Sequence, residues 1–322
     1  MLSYRIFQTS YPLLLFRYFF AAIVSFFLIS SGVQASTVVT SIPPLSLLVR
    51  DLSPEPDKTL SLLAASQSPH GVTLSVSQVR QLQQADLFIW VGPDFESSFS
   101  KAITRFVAPE KVLQLSGLPF FGPVQPEFHE AKERRNEAHS DTDHEHHEHG
   151  ADAHLWLGYD SGIVIAKAVA GRLVQIYPAD ARYIESRLET LIARLHADKL
   201  SAHTQLSKHN DRGFAVFHDG YSRFVDEFGL QQLSHITLVP DQQVSLNQML
   251  VLKVELQHAA CLISDLGELP QARRLAARLG LTVTTVDLLA SGPMDKTAEF
   301  KFANYLGGIV KSFSRCLSTT AI

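Results

Sequence analysis

Residues 180–209 read DARYIESRLETLIARLHADKLSAHTQLSKH, and this stretch decides the fold. Ile184, Leu188, Leu191 and Leu195 recur at helical spacing, which gives the segment a single apolar stripe. Asp180 stands where it could cap the first turn. A helix of about thirty residues would be about 45 Å long. A helix of that length between two α/β blocks is expected to be the backbone that joins them.

Short apolar runs alternate with amphipathic segments on both sides of this helix, a pattern typical of α/β layering. Strands are predicted at 38–42, 59–65, 87–91 and 112–115 before it, and at 214–217, 235–239, 261–264 and 281–288 after it. The sequence therefore predicts an α/β fold with two Rossmann-like lobes joined by a long rigid backbone helix. The expected boundaries are 36–178 for the N-terminal lobe, 179–209 for the linker helix and 210–322 for the C-terminal lobe.

The first 35 residues have the features of a secretory signal peptide. Arg5 and Arg17 precede an uncharged run from Tyr18 to Ile29, and residues 33–35 (VQA) offer small residues at the −3 and −1 positions of a cleavage site. Cleavage is predicted after Ala35, so residues 1–35 would be absent from the exported protein. The alternative is an uncleaved membrane anchor, for which the apolar run is short.

Cys261 and Cys316 are the only cysteines. In an exported protein an even pair favours a disulfide over two thiolate ligands. Closing a loop of about 56 residues would stabilise the fold by roughly 4 kcal/mol in the chain-entropy model. The net charge of −4 is small, and no basic face suited to nucleic acid is present.

Residues 139–150, HSDTDHEHHEHG, belong to a loop predicted at 127–151 that is rich in histidine and acid. The loop lacks apolar side chains and cannot build a core. Neutral imidazoles and carboxylates suit Zn²⁺ and its borderline neighbours. An auxiliary weak metal site is therefore predicted at His139, His144, His146, His147 and His149. A solvated linker remains the alternative.

Three further histidines stand at comparable places in the pattern. His70 (SPHG) follows a predicted strand, His154 (DAHLWL) precedes a helix, and His218 (VFHDGY) ends an apolar strand. Ligands of open α/β sheets collect beyond the carboxyl ends of strands. Three imidazoles that meet there would prefer Zn²⁺ to the harder Mg²⁺ or Ca²⁺. Each histidine alone is more often structural, and it is the combination that predicts a metal site.

The segments around these histidines resemble a known family. Residues 68–96 (SPHGVTLSVSQVRQLQQADLFIWVGPDFE), 153–157 (AHLWL) and 217–230 (FHDGYSRFVDEFGL) resemble the three metal-ligand regions of the zinc-binding periplasmic component of bacterial ABC-type zinc importers. The resemblance covers essentially the whole mature chain. It implies that His70, His154 and His218 bind Zn²⁺ in the periplasm and that the partner is an inner-membrane ABC permease. A monomer without enzymatic activity, organic substrate or nucleic-acid partner is expected.

Departures from the family's pattern concern the fourth ligand and the metal. Manganese-binding relatives commonly have a carboxylate at the third position, so His218 favours zinc, and a manganese-binding relative is the alternative. Pro69 stands where some zinc members carry Glu, so no fourth ligand comes from there. Asp287 matches an acidic position that ligates metal in manganese relatives, and it could bind directly, bind through water or orient an imidazole. Cys261 and Cys316 also resemble the zinc branch.

Three histidines and a water molecule are also the layout of a catalytic zinc site. Asp219, Asp226 and Glu227 follow His218 closely enough to serve such a site. The motifs HExxH, GxSxG and GxxxxGK[ST] are absent from the sequence. A secreted zinc metallohydrolase is therefore the second hypothesis, and an adhesive surface protein is the third.

Overall fold

The computed structural model describes residues 36–69, 71–121, 152–237, 244–292 and 299–319. The predicted signal peptide, His70 and the histidine-rich loop with its five predicted ligands lie outside the described residues. Within the described ranges, no helix combines the length and the apolar character that a membrane span requires. The two lobes described below belong to one compact unit, Ser36–Ile322.

The N-terminal lobe is built on a parallel sheet with the strand order β2-β1-β3-β4. Its strands are β1 Val38–Thr40, β2 Thr59–Ser61, β3 Leu87–Trp90 and β4 Val112–Gln114. Its helices between these strands are α1 Pro43–Leu52, α2 Val76–Gln84 and α3 Ser100–Phe106. Every residue of β3 (LFIW) is buried, as expected for a central parallel strand that is covered on both faces.

Two long helices follow, α4 Tyr159–Ile176 and α5 Ala181–Leu206. The 26 residues of α5 span about 39 Å. Ile184, Leu191 and Leu195 of its predicted stripe are fully buried, and Leu188 is half-buried. Asp180 occupies the N-cap position, but its side chain makes no capping hydrogen bond, so that part of the prediction is wrong. The helix itself lies where the sequence places the interlobe backbone.

The C-terminal lobe repeats the topology of the first, with the parallel strand order β6-β5-β7-β8. Its strands are β5 Gly213–His218, β6 Gln231–Thr237, β7 Leu262–Asp265 and β8 Val283–Val286. Its helices are α6 Ser222–Phe228, α7 Leu246–Glu255, α8 Leu269–Leu279 and α9 Lys301–Leu317. The predicted α/β fold with two parallel-sheet lobes and a helical backbone is confirmed.

One hydrophobic cluster runs from β1 and β3 through α4 and α5 to β5 and α9, so both lobes share a core. A smaller cluster lies between β7, α7 and α8. Helix α5 packs against both α4 and α9. A disulfide joins Cys261, directly before β7, to Cys316 near the end of α9, and both residues are fully buried. The predicted disulfide is confirmed.

Several element boundaries differ from the sequence-based expectation, and two of the differences have a local cause. Strand β6 begins at Gln231 rather than 235, because Gly229 ends α6 in the left-handed conformation and the chain turns into the sheet at once. Helix α3 begins at Ser100 rather than near 95. The preceding loop folds around the buried Glu96 carboxylate, which accepts hydrogen bonds from the N–H groups of Val91 and Gly92.

Candidate metal centre

A cavity of about 380 Å³ lies between the lobes and contains two of the predicted ligands. The N-terminal lobe contributes His154, Trp156, Phe95 and the segment from Ala65 to Pro69. The C-terminal lobe contributes His218 and the turn from Asp265 to Glu268. The carboxyl ends of β5 and β7 border this space, which is where open α/β sheets collect their ligands.

His154 lies in the short loop that leads into α4, and its ring is held on three sides. Its Nδ1 is 2.8 Å from Oδ1 of Asp152, which also accepts the backbone N–H of His154 at 2.9 Å. The rings of Phe95 and Trp156 pack against the imidazole at centroid distances of 5.1 and 5.3 Å. Donation from Nδ1 to the carboxylate places the lone pair of the neutral ring on Nε2.

His218 is the last residue of β5, a strand in which every residue is buried. Its Nδ1 is 2.8 Å from Oε2 of Glu268, so this ring is backed by a carboxylate in the same way. Its Nε2 is buried and has no hydrogen-bond partner among the described residues. A buried nitrogen without a partner is costly. An arriving cation would remove that cost by accepting the lone pair.

Gly220 lies between the two rings, whose centroids are 5.4 Å apart. A Cβ at this position would lie 2.5 Å from Cε1 of His154 and 2.9 Å from Nε2 of His218. Any other residue would therefore displace both imidazoles. The sequence reasoning missed Gly220, although a glycine two residues after a candidate ligand was the available signal.

The carboxylates give this region a negative potential. Burial disfavours a charge on Asp152, but the His154 ring and the N–H groups of His154 and Ser222 hold the pKa of Asp152 at about 2. Burial would lower the pKa of His218, whereas the hydrogen bond to Glu268 and the charges of Glu268 and Asp265 raise it above its ordinary value overall. A cation that binds His218 replaces the proton which these carboxylates attract.

Asp287 is not among the described residues that line this cavity. Its carboxylate accepts hydrogen bonds from the N–H and hydroxyl groups of Ser291 and from the N–H of Gly292, at 2.7 to 2.8 Å. It thus closes the turn after β8. Asp265 lines the cavity instead, where it accepts from the N–H groups of Gly267 and Leu288.

His70 lies outside the described residues, and Ser68 and Pro69, directly before it in the sequence, line the cavity. In the part of the chain that the structure describes, no group of three or more His, Cys, Asp or Glu side chains converges to hold a metal ion. The structure thus brings His154 and His218 together. The positions of His70 and of the loop histidines stay predictions.

A family model described as zinc-uptake complex component A, periplasmic (ZnuA), matches residues 38–312. The chain belongs to this family. It is 31% identical over 301 residues to the high-affinity zinc uptake system protein ZnuA of Yersinia pestis, across 89% of this chain and 92% of that protein. The fold is similar to that of a crystal structure of ZnuA, with a TM-score of 0.70, 18% identity and coverage of 89% and 99% of the two chains.

The periplasmic zinc-binding protein TroA from Treponema pallidum has a similar fold, with a TM-score of 0.67, 16% identity and coverage of 88% and 99%. Family membership confirms the resemblance read from the three histidine segments and identifies the chain as a periplasmic zinc-binding component of zinc uptake. The family is one of solute-binding transport proteins, so the metallohydrolase hypothesis gains no support from it.

Proposed function

We propose that the chain captures one Zn²⁺ with the imidazoles of His70, His154 and His218 and delivers it to an inner-membrane ABC permease. The observation that carries this proposal is the buried Nε2 of His218, which has no partner among the described residues and lies in a cavity shared with His154. Membership of a zinc-uptake family supports both the cargo and the class of partner.

The chemistry is capture and release, without a reaction. Neutral imidazole nitrogens are ligands that Zn²⁺ accepts readily. Asp152 and Glu268 lie within hydrogen-bond distance of the Nδ1 atoms of His154 and His218, so the neutral form of each ring carries its lone pair on Nε2. Because the imidazoles must be neutral to bind, protons compete with the metal, and affinity should fall as the pH drops through the imidazole range near roughly 6.5. The carboxylates that raise the pKa of His218 move the start of this fall to higher pH.

Asp287 stays a candidate for the fourth position. A direct bond from its carboxylate to the ion would require Asp287, which does not line the cavity, to move toward it together with the turn at Ser291 and Gly292. A solvent molecule would complete four-coordination without that rearrangement. Asp287→Asn separates the two arrangements, because loss of a direct ligand should weaken zinc binding far more than loss of a turn contact.

Zinc titration of the metal-free protein, with elemental analysis, tests the proposed ligand set. Alanine at His70, His154 or His218 should each weaken the tight site by more than about 100-fold, because each change removes one of three nitrogen ligands. His196→Ala, on the exposed face of α5, is the matched control and should bind as the wild type does. Wild-type affinity in any of the three variants would remove that residue from the ligand set.

The same titration addresses the alternative functions. Tighter binding of Mn²⁺ than of Zn²⁺ would favour the manganese-binding alternative. Turnover of ester, amide or phosphate substrates by the zinc-loaded protein would favour the metallohydrolase. Stoichiometric zinc binding without turnover is the expected result.

We propose that the loop histidines, His139, His144, His146, His147 and His149, bind further zinc weakly. The ion itself would have to order a polar segment with no core, and that entropy lowers affinity. Deletion of residues 129–149 should keep one tightly bound ion and lose the weaker ones. A deletion variant without the tight ion would place the main ligands in the loop.

We also propose that export removes residues 1–35, so that the mature protein begins at Ser36 and is a monomer. The lobe boundaries at 178 and 210 belong to the same proposal. N-terminal sequencing of the exported protein tests the cleavage site, and its mass in solution tests whether it is a monomer. A retained N-terminus would instead favour a membrane anchor.

A further inference from the structure

Glu227 connects the two lobes beside the candidate metal centre. It lies in the last turn of α6, in the C-terminal lobe, and its side chain is only 7% exposed. Its Oε2 accepts the N–H of Tyr159 at 2.7 Å, and its Oε1 accepts the N–H of Asp160 at 2.9 Å. These N–H groups begin α4 in the N-terminal lobe, so a carboxylate from one lobe caps a helix of the other.

Helix α4 has no local substitute for this cap. Its N-cap residue is Gly158, which has no side chain to offer and adopts a φ of +141°. A Cβ at Gly158 would lie 2.9 Å from Oε2 of Glu227, so the glycine leaves room for the carboxylate. A negative charge at a helix N-terminus satisfies donors that would otherwise lack partners and opposes the helix dipole favourably.

Lys199 of α5 also contacts this site, and we call the contact of Glu227 with Tyr159, Asp160 and Lys199 the junction. Its ammonium lies 3.1 Å from Oε1 of Glu227 and 2.6 Å from Oδ2 of Asp160. The backbone helix, the first turn of α4 and the last turn of α6 therefore meet through one carboxylate. Because the side chains of Lys199 and Asp160 are 29% and 53% exposed, solvent screening limits what these ion pairs contribute.

The junction acts on the segment that carries His154. That residue is five positions before the capped Tyr159, and Asp152 accepts the N–H of Ser222, the first residue of α6, at 2.9 Å. The segment from Asp152 to Asp160 is thus tied to both ends of α6. His218 lies four residues before the same helix, so α6 is connected to the segments that carry both rings.

We propose that Glu227 is a positioning residue, which holds His154 against His218 by capping α4 from α6 and thereby slows zinc release. The proposal rests on the proposed zinc site. Metal bonds tolerate only small displacements, so a looser segment from Asp152 to Asp160 lengthens or tilts the bond from His154. Entry of the ion would be less affected, because affinity differences between closely related complexes reside mostly in dissociation.

Glu227→Gln is the sharpest test, since it keeps the size of the side chain. A carboxylate can accept from both N–H groups, but an amide has one acceptor oxygen and turns an NH₂ donor toward the other. Zinc dissociation, followed by stopped-flow transfer to an excess of a chromophoric chelator, should accelerate by about tenfold or more, as for lost outer contacts of metal ligands. The association rate should change by less than about twofold.

Asp226→Asn is the matched control, because it removes the same charge from the neighbouring, exposed position of α6. Its dissociation rate should equal that of the wild type. If Glu227 only stabilised the fold, Glu227→Gln would lower the melting temperature but leave zinc dissociation from the folded protein unchanged. That result would overturn the proposal while the zinc-binding function stood.

Glu227→Asp serves if Glu227→Gln does not fold. It keeps the charge but shortens the side chain by one methylene, so the carboxylate no longer reaches both N–H groups at the start of α4, and zinc dissociation should accelerate. An unchanged rate in this variant would overturn the proposal. If the wild-type protein had no tight zinc site, both the proposed function and this inference would be wrong. If it had a tight site and the Glu227 variant released zinc at the wild-type rate, only this inference would be wrong.

Discussion

Gly220→Ala adds one methyl group between the two described imidazoles. The new Cβ would lie 2.5 Å from Cε1 and 2.8 Å from Nδ1 of His154, and 2.9 Å from Nε2 of His218. Ordinary van der Waals contact begins at 3.4 Å, so His154 must retreat by about 0.9 Å (3.4 minus 2.5) and His218 by about 0.5 Å (3.4 minus 2.9).

Both displacements exceed the tolerance of about 0.2 Å within which a metal site keeps its bond lengths. We therefore expect zinc affinity to fall by about 100-fold, or about 3 kcal/mol. The fold should survive, because Gly220 is not among the glycines with positive φ, and alanine can adopt its backbone conformation.

Competition with a chromophoric chelator measures the affinity, and circular dichroism of the metal-free variant reports its fold. Gly171→Ala is the matched control: a methyl group at this position of α4 meets nothing within 4 Å. It should bind zinc as the wild type does. If folded Gly220→Ala protein also bound zinc with wild-type affinity, the ion could not lie between these rings.

Three other expectations follow from buried groups. Asp152→Asn and Glu268→Gln should each lower zinc affinity about 10- to 100-fold, because each amide holds its imidazole less firmly; unchanged affinity in a titration would contradict this. The pKa of Glu96 is raised from 4.5 to about 7, because burial disfavours the charged carboxylate more than its backbone hydrogen bonds favour it. The folded protein thus holds this proton more tightly than the unfolded chain does. As the pH rises from 5 to 8, the free energy of unfolding of the wild type should therefore fall by about 2 to 3 kcal/mol relative to that of Glu96→Gln. An equal pH dependence of the two proteins in denaturant titrations would contradict this. Thiol labelling of the denatured, unreduced protein should find neither Cys261 nor Cys316, and reduction should cost roughly 4 kcal/mol of stability; two labelled thiols would exclude the disulfide.

The fold was largely predictable because its signals are local. The apolar run Phe214–Phe217 marks the buried centre of β5, and the stripe at Ile184, Leu191 and Leu195 marks the buried face of α5. Hydrophobic periodicity records such burial directly in neighbouring residues. The same signals place His154 and His218 at the ends of elements that meet between the lobes.

The groups around the candidate ligands were not predictable, because their partners are distant in sequence. Glu268 meets His218 across 50 residues, and Glu227 meets Tyr159 across 68. A single sequence carries no periodicity for such pairs. The start of α4 at Tyr159 has the same origin: the cap comes from α6, whereas sequence reasoning seeks a cap beside the helix.

The most direct test of the central claim is zinc K-edge X-ray absorption on the protein lacking residues 129–149 and loaded with one equivalent of Zn²⁺. Three imidazole ligands predict nitrogen scatterers at about 2.0 to 2.1 Å, with the outer-shell pattern of rings, in a four-coordinate site. A spectrum with sulfur at about 2.3 Å, or with oxygen ligands and no imidazole pattern, would contradict capture of zinc by these histidines.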